Sequence, residues 1–101
     1  MWMLVMFDLP VVTSIERKCY QDFRNLLLDN GFSMSQYSVY IRFCGDRETV
    51  NKYVRIIKDN APPDGNISML FFTDKQFGQT VNIIKRHRVR HQAPPEQLSL
   101  F

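Results

Sequence analysis

Asp8 closes an apolar run in WMLVMFDLP and stands two residues ahead of Pro10. A carboxylate in that place has two uses. It offers hard oxygen to a divalent cation such as Mg²⁺, which keeps part of its water shell and activates one of those waters against a phosphodiester. It also shapes a turn, because Asp and Pro are both common turn residues. One carboxylate per chain makes a thin metal site, and a second copy meeting the first near its own Asp8 supplies another. No nucleophile motif of Ser, His and Asp accompanies it. His87 and His91 have the i, i+4 spacing of a helical metal pair, yet they lie in KRHRVRH, a basic stretch that repels a cation. They read as phosphate-facing or solvated.

The basic residues point to a different chemistry. Residues 1–84 balance nine Lys and Arg against nine Asp and Glu, so the net charge of +3 comes from Lys85, Arg86, Arg88 and Arg90 set against Glu96. A basic cluster on a neutral body suits a polyanion, and the competing reading is a solvated tail. Arg17, Lys18 and Arg24 fall on the first predicted helix. Arg17 and Arg24, two turns apart on one outward stripe, can follow a phosphate backbone with sequence-tolerant, salt-sensitive binding. The alternative is an ordinary solvated face paired with Glu16 and Asp22. Arg42 and Arg47 are further candidates. Past the basic segment, Leu98, Leu100 and Phe101 in PPEQLSLF are apolar, either a short anchor for a partner's edge or incidental residues at the chain's end.

These residues need a frame. At 101 residues there is room for one domain. A domain this small buries only roughly 60–65% of the surface its unfolded chain exposes, so oligomerisation helps it. The opening run is shorter than the about 20 residues a membrane span needs and lacks a signal peptide's basic start and cleavage site, so a cytoplasmic protein is expected. Cys19 and Cys44 have neither metal-ligand spacing nor a disulfide framework, and read as reduced, mostly buried thiols.

Trp2 to Phe7, without polar alternation, reads as a strand buried on both faces. Thr13, Ser14 and Glu16 start a helix whose apolar face is Ile15, Cys19, Phe23, Leu26 and Leu27, and Asn30-Gly31 ends it. FSMSQYSVYIRFC holds two short strands joined by a tight turn near Gln36–Ser38. Asp46 caps a second helix with Val50, Tyr53, Val54 and Ile57 on its core side. NAPPDGN breaks that helix, ISMLFFT is another apolar strand, and TVNIIK, after DKQFGQ, reads as a last short one. The order is the ferredoxin-like βαββαβ pattern of an α+β fold, with an extra C-terminal strand. Both helices then cover one face of the sheet, while strands one and four are apolar on both. Leaving large apolar side chains in water forgoes roughly 1.5–3 kcal/mol each, so a second copy, sheet on sheet, is expected to close the open face. TVNIIK is expected to reach the partner's edge.

MFDLP at the end of the first strand, ERK on the first helix, GFSMSQYSVYIRF and GNISMLFFTDKQF resemble, in this order, the small CRISPR-associated adaptation protein, the Cas-two family, in its type II-like form. The resemblance covers residues 1 to about 84. It implies a ferredoxin-like homodimer over 1–84 and a basic tail over 85–101. It further implies a subunit of spacer acquisition that binds double-stranded protospacer DNA and bridges the Cas-one integrase, with the chemistry of integration left to that partner. Family members are also described as metal-dependent endonucleases, which makes Asp8 the implied catalytic and Mg²⁺-binding residue, shared across the dimer axis. The tail of Leu98, Leu100 and Phe101 becomes the implied docking segment for the integrase. Gln36-Tyr37-Ser38-Val39 reads as packing and turn geometry, with Tyr37 and Tyr40 in core or dimer contacts and contact with nucleic acid as the alternative.

Two other functions fit the same architecture. One is a stand-alone metal-dependent endoribonuclease of toxin-like type. The other, an RNA-recognition module or small-molecule sensor, lacks the Gly-aromatic run expected on its binding strand, and dimerisation buries the face it needs.

Overall fold

The structure is a computed structural model that describes residues 1–85. Its elements are β1 (Trp2–Asp8), α1 (Ser14–Asp29), β2 (Ser33–Gln36), β3 (Val39–Phe43), α2 (Arg47–Asp59), β4 (Asn66–Phe72) and α3 (Asp74–Gly78). The strands form one antiparallel sheet in the order β2-β3-β1-β4, the ferredoxin-like arrangement.

Local chemistry sets the helix ends. Thr13 and Glu16 form a reciprocal capping box: the Glu16 amide donates to Thr13 Oγ1 at 3.1 Å and the Thr13 amide to Glu16 Oε1 at 2.9 Å. At the other end Gly31 takes φ +83°, which lets the Gly31 amide reach the Leu28 carbonyl and the Phe32 amide the Leu27 carbonyl, a Schellman closure. Asp46 caps α2 by accepting from the Thr49 amide at 2.8 Å, and that hydrogen bond holds its carboxyl below the usual carboxylate range.

The core lies between the sheet and the two long helices. Met3, Val5 and Phe7 of β1 pack with Phe23 and Leu27 of α1, Tyr40 of β3, and Val50, Tyr53 and Ile57 of α2. Ile15, expected on the core face, is 75% exposed. A row of i+4 steps slides about 40° round a helix at each step, so Ile15 lies about 120° from Leu27 and off the sheet. Cys19 is half-buried and Cys44 buried, both as free thiols, and burial pushes the Cys44 thiol up.

The end of the described chain departs from expectation. DKQFGQ, read as a link, contains α3, started by a second capping box between Thr73 and Gln76. Phe77 stacks flat on Trp2, ring centroids 4.0 Å apart and planes 7° off parallel, and the N-terminal ammonium binds Asp74 at 2.9 Å. The expected strand over TVNIIK does not form: residues 80–85 have no strand, and Val81 and Ile83 stand 83% and 76% exposed. A strand needs a neighbour to take its backbone hydrogen bonds, and α3 carries the chain off the sheet before one can pair.

Candidate metal and nucleic-acid site

β1 sorts its side chains by parity. Trp2, Leu4, Met6 and Asp8 alternate with the core residues and face away from the helices. Their register partners extend that face: Phe43, Ile41 and Val39 on β3, and Phe72, Leu70, Ser68 and Asn66 on β4. It is apolar from Trp2 to Met6 and polar at its far end, where Asp8 is exposed opposite Asn66. Among the described residues α3 covers the Trp2 corner and Ile41 is buried, whereas Met6, Phe43 and Leu70 remain 44%, 49% and 38% exposed.

Asp8 shares an open groove of about 210 Å³ with Met6, Tyr37, Ser38, Val39, Asn66 and Ser68. Three pieces of chain meet there. The β2–β3 turn is tied to β1 by the Phe7 amide donating to the Ser38 carbonyl at 3.1 Å. Ser38 holds φ +62°, a left-handed conformation uncommon for a residue with a side chain. Its Oγ lies 2.9 Å from the Tyr20 hydroxyl, and the Tyr20 ring lies beside that of Tyr37, centroids 6.1 Å apart. Burial pushes the Tyr20 phenol up, against the hydrogen bond with Ser38, which lowers it.

On the other flank Gly65 brings in β4 at φ +107°. A Cβ there would stand 2.6 Å from Leu9 Cδ2 and 2.8 Å from the Asp8 carbonyl oxygen. Only glycine allows the backbone this close to Asp8. Gly65 and Ser38 are the site residues that sequence reasoning missed. PDGN signalled a turn but not which strand end it would touch, and a Ser in a tight turn carries no mark of left-handed backbone.

The donors suit a hard cation: one carboxylate with the amide of Asn66 and the hydroxyl of Ser68, a set with which Mg²⁺ keeps several waters. Among the described residues no group of three or more His, Cys, Asp or Glu could hold a metal ion.

The basic candidates lie apart from this groove. Arg17 is exposed and turns back, its Nη1 donating to the Val12 carbonyl at 2.8 Å. Lys18 pairs with Asp22 at 3.1 Å. Arg24 is half-buried and makes no hydrogen bond or ion pair among the described residues, and Arg47 and Lys85 are exposed. Arg42 is structural: it donates to the Asn30 carbonyl and the Tyr53 hydroxyl, both at 2.8 Å, and lies over the Tyr53 ring. Tyr40 is core, whereas Tyr37, read as core or dimer contact, is 79% exposed in the chain. Arg86, His87, Arg88, Arg90, His91, Leu98, Leu100 and Phe101 lie outside the described residues.

The family model for CRISPR associated protein Cas2 matches residues 1–80, from β1 through α3. The chain belongs to the Cas2 family. Relatives named CRISPR-associated endoribonuclease Cas2 match it over all 101 residues. That of Paracidovorax avenae is 46% identical over 94% of its own length, and that of Flavobacterium psychrophilum 45% over 88%. That of Parvibaculum lavamentivorans is 41% identical over its full length. The Cas2 resemblance read from MFDLP, GFSMSQYSVYIRF and GNISMLFFTDKQF therefore holds, with the ferredoxin-like fold it implied. Among the described residues no helix is long and apolar enough to cross a membrane.

Proposed function

We propose that the chain is the homodimeric, DNA-binding scaffold of CRISPR spacer acquisition, bridging the Cas-one integrase, with a Mg²⁺-dependent endonuclease site at Asp8. The uncovered apolar face carries this reading. Leu4, Met6, Phe43 and Leu70 line one side of a sheet whose other side is covered by α1 and α2. A second copy laid sheet on sheet covers them and brings the two Asp8 ends toward a shared axis. Residues 80–85, with Val81 and Ile83 exposed, gain the neighbour they lack where that copy offers an edge.

At the polar end Asp8 would hold the cation, with Asn66 and Ser68 offering neutral oxygens. A bound Mg²⁺ supplies a water activated for attack on phosphorus. Arg17, Lys18 and Arg24, doubled in the dimer, form one track for duplex phosphates, and Lys85, Arg86, Arg88 and Arg90 form another. Leu98, Leu100 and Phe101 dock the integrase.

In the full chain with Mg²⁺, Asp8→Asn is expected to abolish cleavage of RNA and DNA while leaving the particle mass unchanged; undiminished cleavage rejects the site. Truncation after Arg90 is expected to weaken capture of the integrase with fork-ended DNA, and undiminished capture rejects docking by the tail. A second reading, a stand-alone metal-dependent endoribonuclease, is favoured by the name the relatives carry. Spacer acquisition that survives Asp8→Asn separates the scaffold from that nuclease.

A further inference from the structure

Tyr37 is a large aromatic side chain, 79% exposed, on the rim of the groove that holds Asp8. An exposed ring in a tight turn ordinarily moves freely, and this one lies beside a second ring that is itself anchored, on a turn that is tied to β1. Tyr20 lies beside it with the ring planes 22° apart, and Tyr20 is itself packed on Phe7 of the core, centroids 5.6 Å apart. The Tyr20 hydroxyl is anchored on Ser38, the next residue in the turn, at 2.9 Å. Ser38 in turn holds a left-handed backbone and accepts from the Phe7 amide. Strained backbone persists where surrounding contacts over-determine it, and it concentrates at functional sites. These contacts anchor the ring's neighbour and the turn that carries it, and leave most of the Tyr37 surface to solvent.

Tyr37 is also tied to the helix side of the sheet. Its partner Tyr20 belongs to α1 and packs on Phe7, whose side chain faces the helices, whereas Asp8 and Met6 face the other way. The groove thus wraps the sheet's end, with a carboxylate on one side and an exposed aromatic ring on the other.

We propose that Tyr37 is a stacking platform for an unpaired base of the nucleic-acid strand whose phosphate lies at Asp8, making a single-stranded or splayed segment the substrate of that groove. This rests on the reading of Asp8 as the cleavage site. An aromatic face accepts any base and so gives binding without sequence preference. A base stacked within a duplex has no free face to offer, so the platform selects strands that are open at this point. Tyr20 and Ser38 are positioning residues, acting through the orientation of Tyr37.

The test uses the full chain and a short single-stranded RNA carrying 2-aminopurine, whose fluorescence falls when the base stacks. Binding is measured in the Asp8→Asn background, which separates it from cleavage. Tyr37→Ala is expected to abolish the quench and weaken binding roughly five- to hundredfold. Tyr37→Phe is expected to restore both, and Tyr37→Ala to leave affinity for a blunt duplex unchanged. In the cleaving chain the loss is expected in KM, with kcat nearly preserved. Unchanged quench and affinity in Tyr37→Ala, or an equal loss on the blunt duplex, overturns the proposal. Cleavage that persists in Asp8→Asn while the quench still depends on Tyr37 overturns the Asp8 reading alone. Cleavage lost in Asp8→Asn with a quench indifferent to Tyr37 overturns the stacking alone.

Discussion

Met3, Val5 and Phe7 are at most 6% exposed, while Met6, between two of them on the same strand, is 44% exposed. The two faces of β1 are built from similarly apolar residues, and only one is covered. α1 and α2 supply the cover on one side, through Phe23, Leu27, Val50, Tyr53 and Ile57. On the other side α3 brings a single ring, Phe77, onto Trp2. Amphipathic strands need no second layer, but apolar residues at every position call for one. The helix face accounts for the fold, and the open face, ending at Asp8, accounts for the function proposed.

Substitutions on the two faces probe this contrast most strongly. Phe23→Ala, in the covered core, is expected to cost about 3–5 kcal/mol by denaturant unfolding. Leu70→Glu, on the open face, is expected to shift the stability of the isolated chain by about 0.5 kcal/mol or less. At protein concentrations low enough for the parent to dissociate, equal losses for the two would mean that both faces are covered within one chain. Next in size is Gly65→Ala, which strains φ +107° and drives a methyl against the Asp8 carbonyl. It is expected to cost about 1–3 kcal/mol and to lower Mg²⁺-dependent cleavage beyond what unfolding explains. A variant as stable and active as the parent would show that β4 does not position Asp8.

The smallest effect concerns α2, part of the cover on the closed side. The Asp46 carboxyl is depressed by the hydrogen bond from the Thr49 amide. Its stabilising effect is therefore present above the unfolded carboxylate value and lost as pH falls through the lower folded one. The gap in unfolding midpoint between the parent and Asp46→Ala is expected to be constant near neutrality and to close below about pH 4. A gap that widens on acidification contradicts the cap.

Much of this contrast is legible in the sequence, because it depends on local pattern. WMLVMF lacks alternation, Thr13 and Asp46 announce helices, and FSMSQYSVYIRFC folds back at Tyr37–Ser38 as its turn implies. What escapes depends on distant contacts. α3 has only five residues, too few for apolar periodicity, and is held by a capping box and by a ring from the opposite end of the chain. TVNIIK has a strand's composition without a neighbour to pair with. Ile15 matches helical spacing yet rotates off the sheet. Asp8 is readable as a carboxylate at a strand end, whereas the groove around it needs the register that sets Asn66 and the β2–β3 turn beside it.

Sedimentation of the full chain over a wide concentration range tests the uncovered face most directly. Closure of that face by a second copy gives twice the chain mass for the parent and a folded particle of single-chain mass for Leu70→Glu. A parent that sediments as one chain at every concentration contradicts it.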